Sequence, residues 1–197
     1  MKLFWAPQTR AQRGIWLLEE AGVDYTLERI DLGDPERLEN DEFRTASPMG
    51  KVPALVDGDV ALSDSAAICL YVADRYAPGS LAPELDDAQR GKYLYWMVYT
   101  PGVIEPAMSE KFNKVEPNRQ RNGWGDFDLM IETWDAGLDD KEWILGERFS
   151  AADVMLGSSA IFLRQFGMLP ASRNLAGYAD RCAARPANRR AVEKAGG

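Results

Sequence analysis

The segment SPMGKVPALVDGDVALSDSAAI, residues 47–68, contains two features that could bind a small peptide. The first is Pro53, which opens a strand-like apolar run. Proline is tolerated at the start of a strand because no ladder donor is lost there. A trans Val52-Pro53 bond would be an ordinary feature of an edge strand. A cis bond would instead turn the main chain of Val52 outward, where its N–H and C=O could pair with a peptide as an added strand does.

The second feature is the polar triple Ser63, Asp64 and Ser65, which precedes an apolar helical run. All three residue types cap helices well, but one cap needs only one of them. A helix N-terminus offers N–H groups and positive potential to a ligand carboxylate. We therefore predict that Ser65 binds the carboxylate and Asp64 the amine of an amino-acid end group, with helix capping as the alternative.

A third candidate is Thr9, in the segment APQTRAQR at the end of the first predicted strand. Its hydroxyl could simply cap the first helix. Alternatively, it could point at a substrate sulfur held at the helix N-terminus. A thiol with a pKa of about 8.5 is mostly un-ionised at neutral pH, and a hydroxyl donor at a helix N-terminus favours its thiolate. The chain contains no histidine, so mechanisms that need an imidazole base, including a Ser-His-Asp triad, are excluded.

Composition narrows the class of protein further. The net charge of −8 argues against binding to nucleic acid, which needs clustered cations. No apolar run approaches the roughly 20 residues that cross a bilayer, and the N-terminus does not resemble a signal peptide, so we expect a cytoplasmic protein. Cys69 and Cys182 lie in apolar helical runs without a C-x-x-C motif, which predicts buried thiols and no metal site.

The pattern of apolar residues divides the chain into two unlike parts. Residues 1–76 read as β-α-β, an irregular segment with a short helix, and then β-β-α, which indicates an α/β domain. Residues 77–87 are rich in proline and glycine and read as a linker, and residues 88–197 read as an all-α bundle. In that bundle FSAADV predicts a structural capping box between Ser150 and Asp153.

Three segments, SPMGKVPAL, SDSAAICLYVADRY and FSAADVMLG, occur in an order that resembles the cytosolic glutathione transferases. The resemblance covers essentially the whole chain and is closest to bacterial members with a serine- or threonine-like active site. It implies a thioredoxin-like N-terminal domain followed by an α-helical C-terminal bundle. It also implies glutathione as co-substrate, with no metal.

The resemblance implies a role for each residue of the first two segments. Pro53 should be cis, and Val52 should bind the cysteinyl backbone of glutathione. Asp64 and Ser65 should bind the γ-glutamyl end, although Asp64 replaces the commoner and longer Glu or Gln. Lys51 should approach the glycyl carboxylate, with a solvated surface lysine as the alternative.

The resemblance also places Thr9 at the hydroxyl position of serine-type enzymes and Arg10 at the thiol position of cysteine-type enzymes. We therefore predict that Thr9 is catalytic and that Arg10 assists. The missing cysteine argues against thiol-transferase or dehydroascorbate chemistry, and the missing Ser-Ser-x-Ser run argues against the isomerase branch. The electrophile is expected between the two domains. Its candidate walls, some of which could instead be plain core, are Ala6, Pro7, Tyr99, Val103, Met108, Phe162 and Phe166.

The resemblance finally implies a homodimer, with an interface on the exposed face of the helix at residues 64–76 and on the stretch Tyr93-Trp96-Met97. The predicted function is detoxifying conjugation of the glutathione thiolate to a small apolar electrophile. No nucleic acid or membrane partner is expected. The alternatives are a glutathione-dependent peroxidase or dehalogenase, and a non-catalytic binding or regulatory protein of the same architecture, because fold alone does not fix function.

Overall fold

The computed structural model describes residues 1–196, which form two compact units. The first, called here the N-terminal unit, is Met1–Ala82 together with the C-terminal segment that begins at Ala184. The second, called the helical unit, is Pro83–Ala183. The C-terminal segment therefore differs from the predicted domain division, which placed it in the helical bundle.

A four-stranded sheet organises the N-terminal unit. Its strands are β1 (Lys2–Trp5), β2 (Thr26–Arg29), β3 (Ala54–Asp57) and β4 (Val60–Ser63), in the order β2-β1-β3-β4. β1 and β2 are parallel, whereas the other two pairs are antiparallel. Parallel neighbours need a crossover, and α1 (Ala11–Ala21) supplies it. This arrangement confirms the predicted thioredoxin-like order of elements.

Successive residues of β1 point to opposite faces of the sheet, as strand geometry requires. Leu3 faces α1, where a Cβ at Gly14 would lie 3.3 Å from the Leu3 side chain. Glycine at this position therefore lets α1 approach the sheet closely. Phe4 faces the opposite side and packs in a buried cluster that includes Phe43 of α2 (Asp41–Ala46).

The C-terminal helix α9 (Pro186–Lys194) joins the N-terminal unit because it pairs with the last turn of α1. The Nε and Nη2 atoms of Arg185 donate to the two carboxylate oxygens of Glu20. The same Glu20 accepts from the indole N–H of Trp16 at 2.8 Å. The contacts of Arg185 with Glu20 join residues 165 positions apart, which no local sequence pattern could indicate.

Glu19 completes this electrostatic contact between α1 and α9. Burial by itself would raise the pKa of Glu19, but hydrogen bonds from Lys194, Tyr25 and Arg190 outweigh it and lower the pKa to about 2. The carboxylate thus stays ionised in the folded protein over a wide range of pH.

The helical unit confirms the all-α prediction for the second half of the described chain. No helix among the described residues is long and apolar enough to span a membrane. A π-helical turn, Thr100–Ile104, includes Pro101 and Gly102 and connects two helices of the unit. The unit contains α4 (Arg90–Tyr99), α5 (Glu105–Asn113), α6 (Phe127–Leu138), α7 (Ala151–Gln165) and α8 (Arg173–Ala184).

The predicted capping box at the start of α7 is confirmed. The Ser150 N–H donates to Asp153 Oδ2 at 2.9 Å, and the fully buried carboxylate also accepts from the Ile144 N–H and the Tyr178 hydroxyl. Burial raises the pKa of Asp153 to about 6 although these hydrogen bonds oppose the shift. The arrangement ties three segments of the helical unit together, so its role is structural.

Candidate active site

The Val52-Pro53 peptide bond is cis, which confirms the expectation from the resemblance. The loop before it is fixed by Ser47, a buried serine whose role no pattern in the sequence indicates. The Ser47 Oγ accepts from the Lys51 N–H at 2.9 Å and donates to the Lys51 C=O at 2.7 Å. The Gly50 N–H donates to the Ser47 C=O at 2.8 Å, and the φ of +64° at Gly50 suits glycine.

The residues of this loop differ in how far they are buried. The side chain of Val52 is half-buried and packs against the Phe4 cluster, and Pro53 is buried. Lys51 is exposed, which is compatible both with a contact to a glycyl carboxylate and with a solvated lysine. Ser47 already forms hydrogen bonds with the N–H and the C=O of Lys51. The main-chain groups of Val52 are therefore the next along the chain that could pair with a bound peptide.

The start of α3 (Ser65–Tyr76) confirms one of the two predicted roles of Asp64. Its Oδ1 accepts from the N–H groups of Ala66 and Ala67, at 2.8 and 3.1 Å, so Asp64 caps the helix. Its backbone has φ +80° and ψ +130°, a conformation that non-glycine residues rarely adopt. Such backbone conformations cluster at ligand sites, so the outlier supports a binding role beside the cap.

Ser65 lies against a buried arginine of α1. The Ser65 Oγ accepts from Arg13 Nη1 at 3.2 Å, and the two residues are only 4% and 7% exposed. Arginine is rarely buried without a partner. The first N–H of α3, that of Ser65, has no acceptor within its own helix. The guanidinium of Arg13 and the N-terminus of α3 therefore lie together where the sequence predicts that a ligand carboxylate binds.

Arg13 is a candidate binding residue that the sequence did not single out. Its only sequence signal is a charge on the apolar face of α1, one turn after Thr9. Its guanidinium also acts on the Cys69 thiol, but burial dominates there and raises the pKa of Cys69 to about 12. Cys69 is thus an un-ionised thiol, and Cys182 is likewise fully buried, as the sequence predicts.

Thr9 adopts the capping arrangement that the sequence left open as the alternative to catalysis. Its Oγ1 donates to the Ala6 C=O at 2.7 Å and accepts from the Ala11 N–H at 3.3 Å. Arg10, the N-cap residue of α1, is exposed. The sequence-predicted roles of Thr9 and Arg10 toward a thiol stay predictions.

Two of the predicted electrophile residues line a surface depression. Ala6 and Pro7 border a depression of about 420 Å³ in the N-terminal unit. Its other border is the segment 29–33, which begins at the last residue of β2 and which the sequence did not include in the site. Ala6 lines the depression and its carbonyl accepts from the Thr9 hydroxyl, so the depression lies close to the start of α1.

Within the helical unit, the predicted wall residue Tyr99 belongs to the core instead. It is 3% exposed, and its hydroxyl donates to the Met130 C=O at 2.8 Å. The sequence could not show this, because the helical spacing of an aromatic residue is the same whether the residue faces a ligand site or the core. Val103 and Met108 are half-buried.

Phe162 and Phe166 are both exposed and lie together at the end of α7, with ring centroids 4.6 Å apart. Phe112 of α5, which the sequence did not include, packs edge-on against both at 6.3 and 5.5 Å. The three rings form an aromatic cluster on the surface of the helical unit.

The stretch predicted for a dimer interface is wrong in its helical phase. Tyr93, Trp96 and Met97 are buried within the helical unit. The apolar residues of α4 that are exposed are their neighbours on the opposite face, Leu94, Tyr95 and Val98.

Comparison with known proteins agrees with this geometry. Residues 9–75 match the sequence model for the glutathione S-transferase N-terminal domain. The chain is 29% identical over 194 residues to glutathione S-transferase GstA of Escherichia coli O157:H7, covering 94% of each protein. It is also 29% identical to the disulfide-bond oxidoreductase YfcG of Escherichia coli K12, covering 98% of this chain and 94% of the relative.

Among solved structures, a sphingomonad glutathione S-transferase complexed with glutathione superposes with a TM-score of 0.81. The two chains are 28% identical, and the match covers 100% of this chain and 99% of the other. Sequence and structure therefore agree over both units. The chain belongs to the glutathione S-transferase family.

Proposed function

We propose that the protein is a glutathione transferase that binds glutathione in its N-terminal unit and adds the thiolate to a small apolar electrophile. The observation that carries the proposal is the start of α3, where Asp64 has a φ of +80° and Ser65 meets the buried Arg13. These groups offer one anion and one cation a short distance apart. An amino-acid end group, with its ammonium and carboxylate, has the complementary charges.

Each group then has a role in binding. The second carboxylate oxygen of Asp64, not used for capping, accepts from the γ-glutamyl ammonium. Ser65 and the positive charge of Arg13 hold the γ-glutamyl carboxylate. The main chain of Val52 pairs with the cysteinyl residue as an added strand, and Lys51 reaches the glycyl carboxylate.

Catalysis consists of thiolate stabilisation and positioning. The thiol gives its proton to solvent, and the N-terminus of α1 and the charge of Arg10 favour the thiolate. Thr9 can donate to the sulfur only if its hydroxyl leaves the Ala6 carbonyl. The sulfur then bonds to the electrophilic carbon, and the leaving group departs with the electron pair of the broken bond. No protein thiol takes part, because both cysteines are buried.

The experiment is retention of the protein on immobilised glutathione, followed by its conjugation of glutathione to chlorodinitrobenzene. Retention with turnover is the expected result. Retention without turnover would favour the non-catalytic alternative. Loss of both would refute the proposal, because the α3 site would then not bind glutathione at all.

A second candidate is glutathione-dependent disulfide reduction, which the similarity to YfcG over 98% of this chain favours although the missing active-site cysteine argues against it. In this reaction a glutathione thiolate attacks one sulfur of a disulfide and expels the other as a thiolate. A second glutathione resolves the mixed disulfide, which yields oxidised glutathione and a second free thiol. An assay with hydroxyethyl disulfide, coupled to glutathione reductase and NADPH, distinguishes this activity from aromatic conjugation.

We also propose that the protein is a cytoplasmic homodimer. The exposed apolar face of α4, which includes Tyr95 and Val98, supports an interface on this helix. Val98→Glu should convert the dimer to a monomer in analytical ultracentrifugation. A wild-type protein that sediments as a monomer at micromolar concentration would refute this part of the proposal.

A further inference from the structure

The depression beside the start of α1 is lined in part by four apolar residues. Ala6 and Ile30 are buried, and Pro7 and Leu32 are exposed. Its volume of about 420 Å³ falls within the range of small-molecule sites. Because Thr9 donates to the Ala6 carbonyl at 2.7 Å, a molecule in the depression lies next to the α1 N-terminus, where the proposed thiolate forms.

Two charged residues also border the depression, Arg29 at the end of β2 and Asp31 two residues later. They differ in how they are engaged. The Oδ1 of Asp31 accepts from the Gly33 N–H at 2.9 Å, so one of its oxygens fixes the turn. Arg29 is exposed and forms no ion pair with the part of the chain that the structure describes. The depression thus combines apolar residues with an exposed cation, Arg29, and with Asp31, one of whose oxygens is already engaged in the turn.

We infer that the electrophile carries an anionic group, a carboxylate beside an apolar body, and that Arg29 is the residue that selects it. This inference rests on the proposed function. The guanidinium presents parallel N–H donors that match a carboxylate, and such pairs can be bidentate. In a protein of net charge −8, a local cation is also needed to keep an anionic electrophile from being repelled.

The test compares two electrophiles that differ by one carboxylate. 1-Chloro-2,6-dinitrobenzene is neutral, and 4-chloro-3,5-dinitrobenzoate adds a carboxylate para to chlorine while keeping the leaving group and the positions of both nitro groups. In Arg29→Met the ratio of kcat/KM for the benzoate to that for the neutral compound should fall about 3- to 10-fold. In Arg29→Lys, which keeps the positive charge but loses the parallel N–H donors of the guanidinium, this ratio should fall less.

Asp31→Asn is the matched control at the same cavity. It removes the opposing charge and should raise the same ratio. In the wild-type protein the preference should also weaken in 0.5 M salt, because the pair is solvent-accessible. Equal kcat/KM ratios for wild type, Arg29→Met and Asp31→Asn would overturn the inference.

Two further outcomes separate this inference from its alternatives. If Arg29→Met raises the KM for glutathione equally with both electrophiles, Arg29 binds glutathione rather than the electrophile, and the inference is wrong. If neither electrophile is conjugated, the proposed function fails, and binding of nitrobenzoate then tests Arg29 directly by calorimetry. A Kd for nitrobenzoate that is unchanged in Arg29→Met would overturn the inference in that case as well.

Discussion

Asp64 is the residue at which capping and ligand binding can be separated by one substitution. Its Oδ1 accepts both helical N–H groups, of Ala66 at 2.8 Å and of Ala67 at 3.1 Å, which leaves Oδ2 for the proposed γ-glutamyl ammonium. Asp64→Asn keeps a carbonyl oxygen for the cap and is tolerated at positive φ. It replaces the second oxygen with an NH₂ donor and removes the charge, so the ammonium loses its acceptor.

The magnitudes follow from these contacts. A hydrogen bond to a charged group contributes about 1.5–3 kcal/mol, and the exposure of Asp64 places its contribution near the low end. Glutathione binding to Asp64→Asn should therefore weaken about tenfold, with an unchanged melting temperature. Asp64→Ala also loses the cap, which costs about 1 kcal/mol, or about 2–4 °C in Tm for a protein of this size.

Calorimetry of glutathione binding and thermal unfolding of the ligand-free proteins provide the two readouts. A glutathione analogue that lacks the γ-glutamyl amine allows a double-mutant cycle between Asp64 and that amine. Wild-type protein should bind this analogue about as weakly as Asp64→Asn binds glutathione, and Asp64→Asn should hardly distinguish the two ligands. If Asp64→Asn discriminates them as strongly as wild type does, Asp64 is only a cap and the proposed orientation of glutathione is wrong.

Three other predictions concern the same unit. Arg13→Met should raise the KM for glutathione about tenfold. Adding Ser65→Ala should raise the KM little further, because both substitutions remove the same Arg13–Ser65 contact. Additive increases in the KM, measured by steady-state kinetics, would show that the two residues act separately. If Thr9 donates to the thiolate, Thr9→Ala should lower kcat more than glutathione affinity and Thr9→Ser should restore it, whereas equal losses would assign Thr9 to structure. Since the pKa of Glu19 is lowered from about 4.5 to about 2 in the folded protein, the stability it contributes is full above about pH 4.5 and is lost as the pH falls toward 2. The Tm advantage of wild type over Glu19→Gln should therefore shrink across that range, and a constant difference would contradict the assignment.

Local patterns in the sequence predict most of the N-terminal unit. Period-two alternation, the polar triple before α3 and the proline at residue 53 are signals that span only a few residues. Arg13 shows what such signals cannot reveal. Its partner Ser65 is 52 residues away, and neither residue type alone indicates the contact. Ser47, which fixes the loop before the cis peptide, also gave no signal, since a serine in a turn has many ordinary roles.

Helical phase accounts for the errors in the second half. Tyr93, Trp96 and Met97 share one face of α4, and an apolar stripe of this spacing fits a core and an interface equally well. Only the packing of the helical unit decides that this face is the core. The C-terminal helix shows the same limit at longer range, because contacts such as the ion pair of Arg185 with Glu20 join residues that lie far apart in the sequence.

Asp64 at the start of α3 and Thr9 at the start of α1 differ in how many hydrogen-bond partners they can have at the same time. Asp64 has two carboxylate oxygens, so it can cap α3 and bind an ammonium at the same time. Thr9 has one hydroxyl proton, and the Ala6 carbonyl already accepts it. The proposed grip on the γ-glutamyl end is therefore formed before glutathione arrives, whereas donation from Thr9 to the thiolate requires the hydroxyl to change partners. In the proposed mechanism the α1 N-terminus and Arg10 therefore stabilise the thiolate until that exchange occurs.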